Sequence, residues 1–214
     1  ARRALRTQRP LTGMYRGDKA RPQVHQSMEG GQLRTLELMG AAQRVQWLYR
    51  ELGQGEDALP APELLYLARA ALLERDLDRA LAWVDRAQAV FSRWPARAGQ
   101  LGLGRAQMLR ARILGERGDL DAALRAAQAS IERYKGTGDA LRAAQAELLA
   151  GELARRLGRR EDALVYAKRA RSRFYHGHDV FACAQAELGL AELHLQYDEF
   201  EQAREVAGYG ALRM

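Results

Sequence analysis

The sequence predicts an all-α protein built from a tandem repeat, and three observations carry that reading. Of 214 residues, 39 are Ala and 31 are Arg, both strong helix formers, while β-branched residues are few. A pair of small residues twelve apart recurs four times, its second member standing at positions 80, 123, 163 and 203, a period close to forty. Helix stop and start residues stand wherever this period requires a turn.

The small pairs are Ala68 with Ala80, Ala111 with Ala123, Gly151 with Ala163, and Ala191 with Ala203. Small side chains at such positions let two helix axes cross closely, where a larger one would force them apart. Eleven residues beyond the second marker an aromatic follows in three units, as Phe91, Tyr134 and Phe174.

Taken in order, residues 1–31 read as an irregular basic tail, because Pro10, Gly13, Gly17, Pro22, Gly30 and Gly31 interrupt any helix. Residues 32–59 hold an N-terminal capping helix and a linker; Ala41, Val45, Leu48 and Leu52 share one face of a helix over 33–52. Residues 60–214 form four helix–turn–helix repeats, the last incomplete. With the cap, nine helices averaging about 16 residues are expected, covering about two thirds of the chain against a base rate of about one third. Pro62 suits the first turn of its helix. Gly118 and Gly158 end the first helices of their units. Asp76, Asp119 and Asp198 are placed to cap the second helices, and Asp139 and Asp179 the following first helices. Leu77, Leu120 and Phe200 should wedge beneath each helix pair, with the stem of Arg160 in that place in the third unit. Gly102-Leu103-Gly104 reads as a longer inter-repeat loop holding the three residues by which the first period exceeds the others. The last helix starts near Phe200 and meets Gly208 and Gly210; it lacks the polar cap that repeat arrays need, so either a partner or a second copy is expected to cover it or the chain is a piece of a longer one.

Leu190-Ala191-Glu192-Leu193-His194 followed by Asp198-Glu199-Phe200 and Ala203, and Leu67-Ala68 with Leu77 and Ala80, resemble the tetratricopeptide repeat in its longer bacterial form. The resemblance covers roughly residues 61–210; Arg110 and Arg160 stand where an aliphatic residue is usual. It implies a right-handed superhelix whose first helices line a concave groove that takes a peptide or a partner helix. The Lys/Asn clamp of the members that bind chaperone tails is not matched, since the sequence has no Asn.

On that reading Arg69, Arg112, Glu152 and Glu192 recur on the inner face of successive first helices. Tyr66, Arg105, Met108, Gln145, Leu148, Arg155, Arg156, Gln185 and Gln196 lie nearby. The basic pair precedes the acidic pair, so the groove carries a charge gradient. Arg125 and Arg133 fall on the convex side.

The net charge of +7 is concentrated at residues 1–22 of the tail, where Arg2, Arg3, Arg6, Arg9, Arg16, Lys19 and Arg21 face only Asp18. Such a tail can solubilise, neutralise nucleic-acid phosphates or dock on an acidic protein surface. Tyr15 is its only aromatic, which speaks against base stacking. No apolar run approaches the length of a membrane-spanning helix, and mean hydropathy is −0.43. The first residues lead into no apolar stretch, which argues against a secretory signal. A single cysteine, Cys183, fits a reducing cytoplasm and reads as a small core residue. The choice of Arg over Lys and the missing Asn fit a GC-rich genome or a heat-adapted source.

Phosphate-binding loops, nucleophile elbows and His-Glu-x-x-His are absent from the sequence, so no catalytic residue and no cofactor are expected. His176-Gly177-His178-Asp179, with His194, is a weak metal pattern, better explained as a turn and a helix cap; no metal is expected. Function is therefore expected to be non-enzymatic: a cytoplasmic scaffold that binds a protein or peptide, with self-association through the uncapped end. A sensor or regulatory module of bacterial signalling or transcription control is the alternative, and nucleic-acid association through the tail a weaker one.

Overall fold

The computed structural model describes residue 40 and residues 59–211, with side chains as far as residue 208. Gly40 is helical. Apart from that residue, the segment expected to form a capping helix lies outside the described residues, as does the basic tail. Eight α-helices follow among the described residues, with no strand: α1 (Ala61–Leu73), α2 (Leu77–Phe91), α3 (Ala96–Arg117), α4 (Leu120–Thr137), α5 (Ala140–Arg156), α6 (Arg160–His176), α7 (Val180–Gln196) and α8 (Phe200–Ala211). Units one to four are the pairs α1–α2, α3–α4, α5–α6 and α7–α8.

Each helix packs on the next in sequence. In addition the backbones of α1 and α3, α3 and α5, and α5 and α7 approach closely, whereas those of the second helices of successive units stand farther apart and meet through side chains, as where Gln128 of α4 donates to the Tyr166 hydroxyl of α6 at 2.9 Å. The stack is thus tighter on the first-helix side and fans out on the other. The small markers sit at the crossings: Ala68, Ala80, Ala111 and Ala123 are wholly buried, and Ala163, Ala191 and Ala203 nearly so. Phe91, Tyr134 and Phe174 anchor the interior between units.

Turn chemistry repeats with the same register. Within the units a left-handed residue occupies one fixed place: Arg75 (φ 64°), Gly118 (93°), Gly158 (72°) and Asp198 (58°). Asp76, Asp139 and Asp179 cap as expected, accepting the amides of Arg79, Arg142 and Ala182 at 3.1, 3.0 and 3.0 Å. Two expected caps fail. Asp119 makes no cap bond, and its carboxylate instead lies 3.3 Å from Arg117. Asp198 is the left-handed turn residue itself, one place too early to cap a helix that begins at Phe200.

Two further expectations are corrected. Gly102-Leu103-Gly104 is not a loop but lies inside α3. That helix has 22 residues against 17 for α5, and most of the excess precedes Ala111, where it adds about one helical turn. Its glycines are seats for rings: a Cβ at Gly102 would stand 2.1 Å from Phe91 Cδ1, and one at Gly104 2.9 Å from Tyr134 Cε1. Secondly, Leu77 and Leu120 do pack half-buried against the core, but Phe200 is 63% exposed, since no described element follows α8 to cover it. α8 also continues through Gly208 to Ala211.

Charged residues stitch the turn edge from unit to unit. Arg75 pairs with Glu116 at 2.6 Å and Arg117 with Asp78 at 3.1 Å, Arg159 pairs with Asp121, and Arg160 with Glu199. Arg110, out of place in the repeat, pairs with Asp85 of α2. These exposed pairs each contribute only ~0–1 kcal/mol, so they fix register more than stability. Arg160 keeps its apolar duty differently: its guanidinium lies 4.8 Å from the centre of the Tyr197 ring.

Two outcomes follow from this packing. A helical glycine ordinarily costs about 1 kcal/mol relative to Ala. Gly189→Ala, where nothing lies within 4 Å of the added carbon, should therefore raise the melting temperature. Gly102→Ala should lower it, losing about 1–3 kcal/mol against the Phe91 ring. Equal shifts in the two melts would contradict the ring seat. The second outcome concerns Glu199, whose carboxyl is held below the ordinary carboxylate range by hydrogen bonds from His194 (2.7 Å) and Arg160. A depressed carboxyl stabilises the fold above its unfolded pKa, about 4.3, and that contribution is lost as pH falls through the lower folded value. Glu199→Gln should flatten the acid limb of melting temperature against pH; parallel limbs would show that the cluster contributes nothing.

Candidate functional site

Helical period places one face of each first helix on the tight side of the stack. Arg69 (α1), Arg112 (α3), Glu152 (α5) and Glu192 (α7) are all exposed at corresponding positions, as the sequence predicts. Two concavities lie among them. The first, about 350 Å³, is lined by Tyr66, Arg69, Arg105, Met108 and Gln145, together with Phe91, Tyr134 and Arg142. The second, about 540 Å³, is lined by Arg112, Glu152 and Arg156, with Leu72, Leu149 and Glu116. Leu148 is half-buried, packed on Ala144 and Phe174. Gln185 and Glu192 are exposed on α7 but line neither concavity.

The charge gradient is not symmetrical. Glu152 is already engaged: Arg155 grips it through Nε and Nη2 at 2.9 and 2.8 Å and reaches Gln196 at 3.3 Å. The bond to Glu152 raises the Arg155 pKa. Arg156 donates to the carbonyl of Gly115 at 3.0 Å, satisfying a helix-end acceptor. At the basic end, Arg69, Arg105 and Arg112 have no ion pair among the described residues. Burial of its guanidinium and the nearby Arg69 charge lower the Arg112 pKa. Glu192 has no ion pair among the described residues either, so three unpaired guanidiniums at the basic end stand against one unpaired carboxylate at the acidic end.

An apolar column, of which the sequence reading had only Met108 and Leu148, runs beside this row. Leu65, Met108, Leu148 and Leu188 recur in step with the small pairs, and Leu101, Leu141 and Phe181 recur with the same period. Leu141, Phe181, Leu188 and Leu195 are 40%, 73%, 61% and 51% exposed. Their signal was present, since Phe181, Leu188 and Leu195 recur every seven residues on α7. On the convex side, Arg133 of α4 holds Gln100 at 2.7 Å, and Arg125 is exposed.

The histidine pattern resolves into local structure. His178 is a left-handed turn residue (φ 55°), Asp179 is a cap, and His194 lies beside Glu199. Among the described residues no three metal-ligating side chains gather. Cys183 is buried against Phe174.

Three solved structures share this arrangement. Aspartyl phosphate phosphatase F from Bacillus subtilis is similar over 72% of this chain and 39% of its own, with 15% identity and a TM-score of 0.67. RapI in its apo form is similar over 86% of this chain and 66% of its own, with 16% identity and a TM-score of 0.73. BtubC from P. vanneervenii is similar over 85% of this chain and 76% of its own, with 17% identity and a TM-score of 0.70. At these identities the likeness is one of fold: an all-helical array of tetratricopeptide-like repeats. The chain spans less than two thirds of the first two. No family model and no curated protein matches the sequence. Among the described residues no helix is long and apolar enough to cross a membrane.

Because burial and the nearby Arg69 charge both disfavour the Arg112 cation, its charge does not stabilise the fold. Arg112→Gln should leave the unfolding free energy within about 0.5 kcal/mol of the parent or raise it. A large loss would place Arg112 in the framework of the array.

Proposed function

We propose that this chain is a non-catalytic scaffold that holds a segment of another protein along the first-helix face. The observation that carries the reading is the alignment, in one register, of charged side chains exposed on α1, α3, α5 and α7 beside an apolar column that is half-buried at Leu65, Met108 and Leu148 and exposed at Leu141, Phe181 and Leu188. Fully covering a Leu or Phe contributes about 1.5–3 kcal/mol, whereas an exposed ion pair contributes about 0.2–1. The apolar column therefore supplies the affinity, and the Arg-to-Glu order sets the direction in which the segment lies. The uncovered flank of α8, with Phe200, is the place for self-association. The buried thiol of Cys183 suits the cytoplasm of a bacterium.

A regulatory module is the second reading. It is favoured by the longer chains of two similar proteins, one of them an aspartyl phosphate phosphatase by name, because an array of this kind then forms only part of a larger device. The two readings differ in what the bound segment does, not in where it binds.

The test is recovery of partners from the host with the full chain as bait. Leu188→Glu, and the swap Arg112→Glu with Glu152→Arg, should remove the specific partner while Arg125→Glu and Arg133→Glu retain it. The opposite pattern would put the partner on the convex side.

A further inference from the structure

The smaller concavity is where the repeat departs from itself. At the aromatic anchor the three units carry Phe91, Tyr134 and Phe174, so packing there needs only the ring. Tyr134 nevertheless adds a hydroxyl that is wholly buried, lines the concavity and has no hydrogen-bond partner. The neighbouring Ser130 hydroxyl gives its own proton to the Gly104 carbonyl at 2.9 Å. The position of Arg105 is Pro62, Gln145 and Gln185 elsewhere, and that of Arg142 is Gly102 and Ala182. Three departures from the repeat thus converge on one space, and each adds a hydrogen-bond donor.

No carboxylate lines that space. Arg142 is paired with Asp139, but Arg69 and Arg105 have no ion pair among the described residues. Burial pushes the Tyr134 phenol up from its ordinary value, so at neutral pH it keeps its proton and can donate. An unsatisfied buried hydroxyl is destabilising, and two unopposed guanidiniums at the same mouth add repulsion. A single acceptor with negative charge relieves both.

We propose that this concavity takes a carboxylate side chain of an acidic partner segment, with Arg69 and Arg105 holding its charge and the Tyr134 hydroxyl donating to it. The inference rests on the groove reading above and names what one of its positions recognises. A carboxylate fits better than a phosphate ester because much of the wall is apolar. Leu65, Phe91, Met108 and Leu109 receive the aliphatic stem and an apolar neighbour in the segment.

The experiment is an array of immobilised hexapeptides probed with the full chain, including Glu, Gln and phosphoserine versions of each peptide. Bound peptides are expected to carry Glu or Asp beside an aliphatic or aromatic residue, and Gln in its place should weaken binding about tenfold or more. The double variant Arg69→Gln, Arg105→Gln should lose the same factor. Tyr134→Phe should lose binding several-fold while its melting temperature stays level or rises, a combination that damage to the core would not give. Leu188→Glu separates the two readings. If it abolishes binding while acidic residues and the Arg pair have no effect, the groove reading stands and the carboxylate site is wrong. If it and the other groove changes leave binding intact, the groove reading fails. Preference for phosphoserine over Glu overturns the carboxylate assignment, and no bound peptide at all overturns both.

Discussion

Everything in this molecule depends on how closely two helices approach at a crossing. Where both axes present Ala or Gly, the separation falls toward the lower end of the ~8–10 Å range of packed helices, and each unit stacks on the last with the same tilt. Ala80, Ala123, Ala163 and Ala203 set that approach within the units. The rings of Phe91 and Tyr134 then lie on the bare backbone of α3 at Gly102 and Gly104. With the backbones of the first helices closer to one another than those of the second helices, the first-helix face is drawn inward. The concavities are a by-product of close packing, not of any loop.

The framework was legible in the sequence because it is periodic. The recurrence is visible to anyone who aligns Ala80, Ala123, Ala163 and Ala203, and it fixes the helices, the burial of the markers and the row of Arg69, Arg112, Glu152 and Glu192. What escaped was decided at single residues. Glycine in Gly102-Leu103-Gly104 signals a turn unless a ring is known to lie upon it, and that ring belongs to another helix. Asp119 and Asp198 carry the right side chain for a cap, yet one is drawn to Arg117 and the other is a place out of register. Sequence spacing located the turns to within one residue, and a cap tolerates no such error.

The candidate site divides in the same way. Membership of the inner face followed from spacing, but the engagement of Glu152 by Arg155 and the isolation of Arg69 and Arg105 did not, because pairing depends on rotamers. Tyr134 shows the limit best. As the aromatic of its unit it reads as core, and only the orphaned hydroxyl distinguishes it from Phe91 and Phe174. In a repeat protein the conforming positions describe the scaffold, and the deviations describe what the scaffold is for.

The neighbour-only pattern of contacts has a mechanical consequence. Helices touch the next one or two in sequence and none farther along, so unit one and unit four share no contact. Tension or torsion applied at one end passes through every intervening unit in series, as in a coil spring, and small rotations at each interface add up along the axis. The pitch of the coil, and with it the spacing of the side chains on its inner face, is an elastic quantity. A stiff segment that binds across several units holds the coil at its own length, and stretching the coil loosens the segment.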